Sequence, residues 1–304
     1  MTYILFVLGL VALVGGGEFL VRGASAIARA FRLSPLLIGL TIVGFGTSAP
    51  ELLVSVQAAL SGQSGIAIGS VLGSNISNIL LILGVSALLA PLVIPGRKLW
   101  RDLSFMLAAT ALVWFMLLDG TISRIDGLIL LAGIAAFLIT AFIAGSEQAA
   151  EAGHGTAAQS WKPWAVTGAG LVLLVIGARL LVDSATTIAR DFGVSEAVIG
   201  LTIVAVGTSL PEMATSVIAA WRKQTEISVG NVIGSNIFNL FGILGTTAVI
   251  APIPADARFA SLDMWWVASS AVGLTLVAFV LGGLPRLVGL GLLATYGVYL
   301  ATVG

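Results

Sequence analysis

Apolar runs of about 18 residues or more follow one another along nearly the whole chain, with almost no charge to interrupt them. Each run is long enough to cross a bilayer as a helix. Soluble domains carry roughly a quarter of their residues as charged side chains, whereas here the share is 9%, and 58% of residues are hydrophobic. A soluble fold cannot hide that much apolar surface, so lipid must be the solvent for most of it. In lipid, every backbone N–H and C=O has to be bonded within the protein, and runs of this length meet that demand as helices. The expected class is therefore an all-α, polytopic membrane protein. The 37 glycines suit close approach of such helices. Net charge is zero and the basic residues are scattered, which argues against nucleic acid as a partner. The absence of cysteine excludes disulfides and thiolate metal sites. The first run starts at Met1 with neither a basic n-region nor an A-x-A cleavage site, so it reads as a membrane helix and not as a signal peptide.

Hydropathy places about ten helices, near 3–22, 35–60, 66–90, 102–118, 125–145, 164–183, 197–220, 227–250, 263–281 and 286–303. The polar stretch from Gly145 to Pro163 divides them, giving five helices in 1–145, a linker over 146–163 and five helices in 164–304. With the N-terminus outside, ten of the 14 lysines and arginines fall on the inner side and four (Arg124, Arg179, Arg190, Arg258) on the outer. The positive-inside rule then puts both termini outside and the linker in the cytoplasm, with the cell's inner membrane as the location. Trp100, Trp161, Trp164, Trp221, Trp265 and Trp266 lie near expected helix ends, where indoles prefer the interface. Trp114 sits deeper, and the sequence gives it no role.

The two halves repeat each other. IGLTIVGFGTSAPE at 38–51 and IGLTIVAVGTSLPE at 199–212 are identical at eleven of fourteen positions, and GSVLGSNISN at 69–78 matches GNVIGSNIFN at 230–239. The offset is 161 residues in both motifs, and Ile27-Ala28-Arg29 matches Ile188-Ala189-Arg190 at the same offset. With five helices per half, the second half would enter the membrane from the opposite side. The repeats would then be inverted, an arrangement that places a transporter's binding site near the midplane.

Most of the 14 carboxylates fall in loops or near helix ends, but Glu51 and Glu212 sit deep within apolar helices at equivalent positions. An ionised side chain at the bilayer centre costs at least ~2.5–3.5 kcal/mol. No lysine or arginine lies centrally in an expected helix to compensate, whereas a bound cation would. Thr47 and Ser48 precede Glu51 by four and three residues, and Thr208 and Ser209 precede Glu212 in the same way, so each trio shares a helix face. Pro50 and Pro211 cannot bond to the carbonyls of Gly46 and Gly207, so a kink or break is expected there. In the next helix of each half, Ser74 with Asn78 and Ser235 with Asn239 are four apart and again share a face. This is an all-oxygen donor set suited to hard cations such as calcium and sodium. Asn75 and Asn236 lie off that face and read as packing or capping residues, His154 reads as a solvated linker residue, and Glu18 as a snorkelling one.

GTSAPE with GSNISN, and GTSLPE with GSNIFN, resemble the two alpha-repeats of the sodium/calcium exchanger (cation/calcium exchanger) superfamily, in a prokaryotic form, over nearly the whole chain. The resemblance implies a secondary antiporter, not an enzyme, that exchanges sodium for calcium by alternating access. It implies that Glu51 and Glu212 hold calcium and share it with sodium. Thr47, Ser48, Thr208, Ser209, Ser74 and Ser235 would add oxygens, Asn78 and Asn239 would line the site, and carbonyls near Gly44 and Ala205 would reach sodium. Some relatives carry aspartate where this chain has Asn239. The helices near 3–22 and 164–183 would be the sliding gate pair. The implied partners are calcium and sodium ions and the bilayer, with no cofactor and no obligatory protein partner. The residues alone leave open a proton/calcium antiporter of the same fold, because a desolvated glutamate can carry a proton. They also leave open a channel. An intramembrane enzyme is remote, since no H-E-x-x-H motif, paired aspartate motif or Ser/His pair lies within the membrane.

Overall fold

The computed structural model describes residues 1–94, 96–151, 160–193 and 205–303. It is built almost entirely of helices: α1 Thr2–Phe31, α2 Pro35–Thr47, α3 Ala49–Leu60, α4 Ser64–Leu89, α5 Gly96–Leu117, α6 Arg124–Glu151, α7 Lys162–Asp191, α8 Leu210–Trp221, α9 Thr225–Ile250, α10 Phe259–Leu281 and α11 Arg286–Val303. A single turn, Ala205–Gly207, precedes α8. Among the described residues seven helices are long and apolar enough to cross a bilayer, or eight with the bent pair α2–α3. The expected helix at 197–220 begins on residues 197–204, which lie outside the described residues, as do 199–204 of the second motif and His154. Of the linker over 146–163, residues 146–151 continue α6 as helix and 152–159 lie outside the described residues.

Several helices outrun their expected ends, for one physical reason. Hydropathy falls at Arg22, but Arg22 pairs with Glu18 one turn back and the helix continues to Phe31. Likewise α5 starts at Gly96, not at 102, because the Arg101 guanidinium meets the Asp102 carboxylate at 2.6 Å and also donates to the Thr140 carbonyl of α6. Local caps mark other ends. Ser34 is the N-cap of α2, its hydroxyl accepting from Leu37 N at 3.2 Å, with Pro35 in the first turn where no amide proton is needed. The end of α10 turns on Gly282 at φ 67, where a side chain would be disfavoured.

Burial separates the helices into inner and outer sets. In their most apolar windows α4 and α9 are 72% and 78% buried, while α1, α6 and α7 are buried by a third or less. The second motif of each half therefore occupies the centre of the bundle, and the long helices face lipid. One apolar cluster joins α4, α5, α9 and α10, and a smaller one joins α1, α7 and α8. Trp114 is anchored in this frame, its indole donating to the Ala260 carbonyl at 3.0 Å and meeting Trp265 edge-on.

Two short antiparallel strand pairs connect the halves. β1 (Leu92–Val93) pairs with β4 (Gly283–Leu284), and β2 (Thr121–Ile122) pairs with β3 (Ile253–Pro254). Where glycines line it, the contact between α1 and α7 brings the two backbones together. A Cβ on Gly170 would lie 2.5 Å from Leu20 N, and one on Gly177 would lie 2.5 Å from Leu13 N. Gly168, one residue pair away on α7, has open space around it. Gly170→Val should therefore destabilise the protein by about 1–3 kcal/mol. Gly168→Ala should be neutral or slightly stabilising. Thermal melting of the purified variants in detergent checks both.

Candidate cation site

The site forms where the broken helices meet the two central helices. α2 stops at Thr47, and α3 leaves at 42° to it. Ser48 forms the joint at φ −85, ψ 7, and Ser209 does the same before α8 at φ −88, ψ 6. The break expected at the prolines thus falls two residues earlier. Pro50 and Pro211 lie in the first turn of the new helices, where a missing amide proton leaves no bond unmade. Glu51 and Glu212 are in the same first turns, near the positive helix ends that favour carboxylates.

Each glutamate is served by the other half of the chain. Ser48 Oγ donates to Glu212 Oε1 at 2.8 Å, and Ser209 Oγ lies 3.5 Å from Glu51 Oε1 and 3.3 Å from Ser74 Oγ. Both glutamates are 1% exposed, and none of the described ion pairs involves either. Their second oxygens, Glu51 Oε2 and Glu212 Oε2, are buried without a hydrogen-bond donor, as are Asn78 Oδ1 and Asn239 Oδ1. Buried polar atoms are almost always bonded. These four acceptors fall on expected site residues; six further buried side-chain atoms, Asn75 Oδ1 among them, also lack a partner. No group of three or more acidic or imidazole side chains occurs among the described residues, so the charge at a cation site here would come from these two carboxylates.

The remaining expected residues divide into those within this network and those beside it. Thr47 Oγ1 lies 3.1 Å from the Val43 carbonyl, 3.3 Å from the Gly44 carbonyl and 3.1 Å from Asn231 Oδ1. Ser235 Oγ donates to the Gly44 carbonyl at 3.1 Å, which brings α9 against α2. Asn78 Nδ2 donates to Asn236 Oδ1 at 2.9 Å, and Asn236 Nδ2 reaches the Asn75 carbonyl at 3.4 Å. Asn236 is thus an interhelical brace that aims Asn78, in keeping with a packing role. Thr208 is half-buried in the turn before α8, and Ala205 opens the helical turn that precedes it.

Two features escaped the sequence reading. Asn231 contacts Thr47 and both Glu212 and Ser216, yet its partner by repeat is Ser70, so matching the halves did not single it out. π-helical turns occupy Asn78–Ile82 in α4 and Phe238–Ile243 in α9, and another occupies Gly39–Val43 in α2. Such turns loosen the hydrogen-bond ladder and recur at functional sites. Here two of them fall on the site asparagines, Asn78 opening one and Asn239 lying within the other.

The fold and site define a multi-pass membrane protein with a buried, oxygen-lined centre. The family profile for "Sodium/calcium exchanger protein" matches residues 1–143 and 162–304. The chain is 33% identical to "Sodium/calcium exchanger MaX1" of Methanosarcina acetivorans, covering 99% of this chain and 98% of that one. It is 39% identical to "Inner membrane protein YrbG" of Escherichia coli, covering 85% and 83%. A solved structure of the sodium-calcium exchanger NCX_Mj, soaked with 10 mM Na+ and 10 mM Sr2+, superposes with a TM-score of 0.88 at 33% identity, covering 99% of this chain and 97% of that one. The chain belongs to the sodium/calcium exchanger family, whose members are ion exchangers and not enzymes.

Removing the Ser48 hydroxyl would strip the donor from Glu212 Oε1. Ser48→Ala should cost about 1–3 kcal/mol of stability in ion-free buffer. Ser228→Ala, which removes a buried hydroxyl that has no partner, should change stability far less. Melting curves in a chelating buffer distinguish them.

Proposed function

We propose that the protein is a secondary antiporter that exchanges sodium for calcium at this one site by alternating access. The observation that carries the reading is the set of four buried acceptors without donors: Glu51 Oε2, Glu212 Oε2, Asn78 Oδ1 and Asn239 Oδ1. Two carboxylates balance one divalent ion, and oxygen ligands suit calcium and sodium. Around them Ser48, Ser209, Ser74, Ser235, Thr47 and Thr208, with the carbonyls of Gly44 and Ala205, complete a candidate ligand shell. Calcium and sodium compete for the same two carboxylates, so binding one displaces the other. The access change is cheap only when those charges are balanced, which opposes leak through an empty carrier. Family membership and the likeness to MaX1 and NCX_Mj support sodium as the counter-ion.

The architecture in this reading is ten membrane helices in two inverted halves, 1–145 and 164–304, joined by the linker 146–163. Strand pairing supports the inversion. By the 161-residue offset β1 corresponds to β3, and β2, shifted by one residue, to β4. Yet β1 pairs with β4 and β2 with β3, while the single span α5 separates β1 from β2. Corresponding strands thus lie at opposite ends of that span, as a two-fold axis in the membrane plane requires. Both termini are outside and the linker is cytoplasmic in the cell's inner membrane, following the lysine and arginine distribution. The α1–α7 pair carries no candidate ligand, and its close glycine-lined contact suits a gate that slides across the site.

Purified protein in sodium-loaded vesicles should take up calcium when diluted into sodium-free medium at equal pH on both sides. Glu51→Gln and Glu212→Gln should each lower that uptake by at least a hundredfold. Uptake driven by a pH gradient alone would make the counter-ion a proton. Calcium flux with neither ion on the opposite side would make the protein a channel.

A further inference from the structure

Asn231 on α9 is fully buried, and both ends of its amide are used. Nδ2 donates to the Glu212 carbonyl at 3.2 Å and to Ser216 Oγ at 2.8 Å, both on α8. Oδ1 accepts from Thr47 Oγ1 at 3.1 Å, on α2 of the other half. One side chain therefore ties the backbone of one candidate carboxylate to a candidate hydroxyl ligand across the interface between the halves. Tight helix contact makes this reach possible, since a Cβ on Gly44 would already lie 3.0 Å from Ser235 N and 3.2 Å from the Asn231 carbonyl.

At the corresponding position of the other half the described bond is a different one. The residue 161 positions earlier is Ser70, which is half-buried and whose hydroxyl donates to Ala67 on its own helix at 3.2 Å. Ser55, the counterpart of Ser216, turns instead to the Ala67 carbonyl and to Thr247 Oγ1. The threonines differ accordingly. Thr47 is 1% exposed beside Asn231, whereas Thr208 is half-buried. The site is thus built from near-identical motifs, but the asparagine at 231 has a serine, bonded within its own helix, at the matching position.

We propose that Asn231 is a positioning residue that holds Thr47 and Glu212 in register, and that this brace makes the two halves of the site inequivalent. The inference rests on the reading of the site as one for calcium. Calcium takes six to eight oxygens within a narrow range of distances, so a ligand pair that is fixed beforehand binds it more tightly than one that must be ordered on binding. Asn231 touches the ligands and not the ion, and its loss should act on affinity through them.

Calcium binding to the full-length protein, purified in detergent and titrated calorimetrically at fixed low sodium, tests this. Asn231→Ser, which copies the other half, should weaken calcium binding at least tenfold, while Ser70→Ala should change it less than twofold. Ser216→Ala, which frees one side of the amide with little change in volume, should weaken binding about threefold or more and gives a second route if Asn231→Ser folds poorly. In a Thr47→Val background, Asn231→Ser should add less than a twofold further loss, a non-additivity that general destabilisation does not produce. Calcium affinities of Asn231→Ser and Ser216→Ala equal to that of the natural sequence would overturn the inference and leave the calcium site standing. Fully additive losses with Thr47→Val would overturn the bridge. No calcium binding by the natural sequence would overturn the calcium site itself, and this inference with it.

Discussion

Two carboxylates are almost wholly buried, none of the described ion pairs involves either, and each keeps one oxygen without a donor. An ionised group in the bilayer interior costs several kcal/mol unless it is compensated. Ser48 and Ser209 compensate in part, each approaching one oxygen of the glutamate that belongs to the other half. The reciprocity has a consequence for assembly: neither carboxylate is served until both halves have packed together. The site is therefore a property of the interface between the halves and of no single motif.

Much of the surrounding structure follows from that requirement. The joints at Ser48 and Ser209 turn hydroxyls inward and start new helices whose first turns carry the glutamates. Two of the four described π-helical turns fall on the asparagines of the central helices, where backbone irregularity is tolerated because protein and not lipid surrounds it. Departures from symmetry are equally informative. Asn231 has only Ser70 opposite it. Glu18 on α1 bonds Arg222 beyond α8 at 2.9 Å, whereas the corresponding positions hold Arg179 and Ser61. In the alternating-access reading proposed above, two strictly equivalent halves would give inward- and outward-facing states of similar energy, and contacts that differ between the halves would set the balance between them.

The glutamates were legible because their context is so poor in charge that an acidic residue inside an apolar run stands out. Spacing also put Thr47, Ser48 and Glu51 on one face, and Ser74 with Asn78 on another. Spacing speaks only of a helix's own faces, however. It could not show that Ser48 serves Glu212 and not its neighbour Glu51, since that pairing depends on how the helices cross. Helix ends were misjudged where charged residues continue a helix by pairing, as at Arg22 with Glu18 and Arg101 with Asp102. Asn231 stands inside a matched motif, but Ser70 opposite it breaks the identity that marks the other site residues. A polar residue present in one half only is what an asymmetric brace looks like in sequence.

The central claim is that a metal ion supplies what Glu51 and Glu212 lack, and a crystal soaked in calcium tests it directly by anomalous diffraction. The account predicts a single strong calcium peak between the two carboxylates, about 2.3–2.6 Å from Glu51 Oε2 and Glu212 Oε2. Absence of any peak there, with both oxygens instead bonded to protein donors, would contradict it.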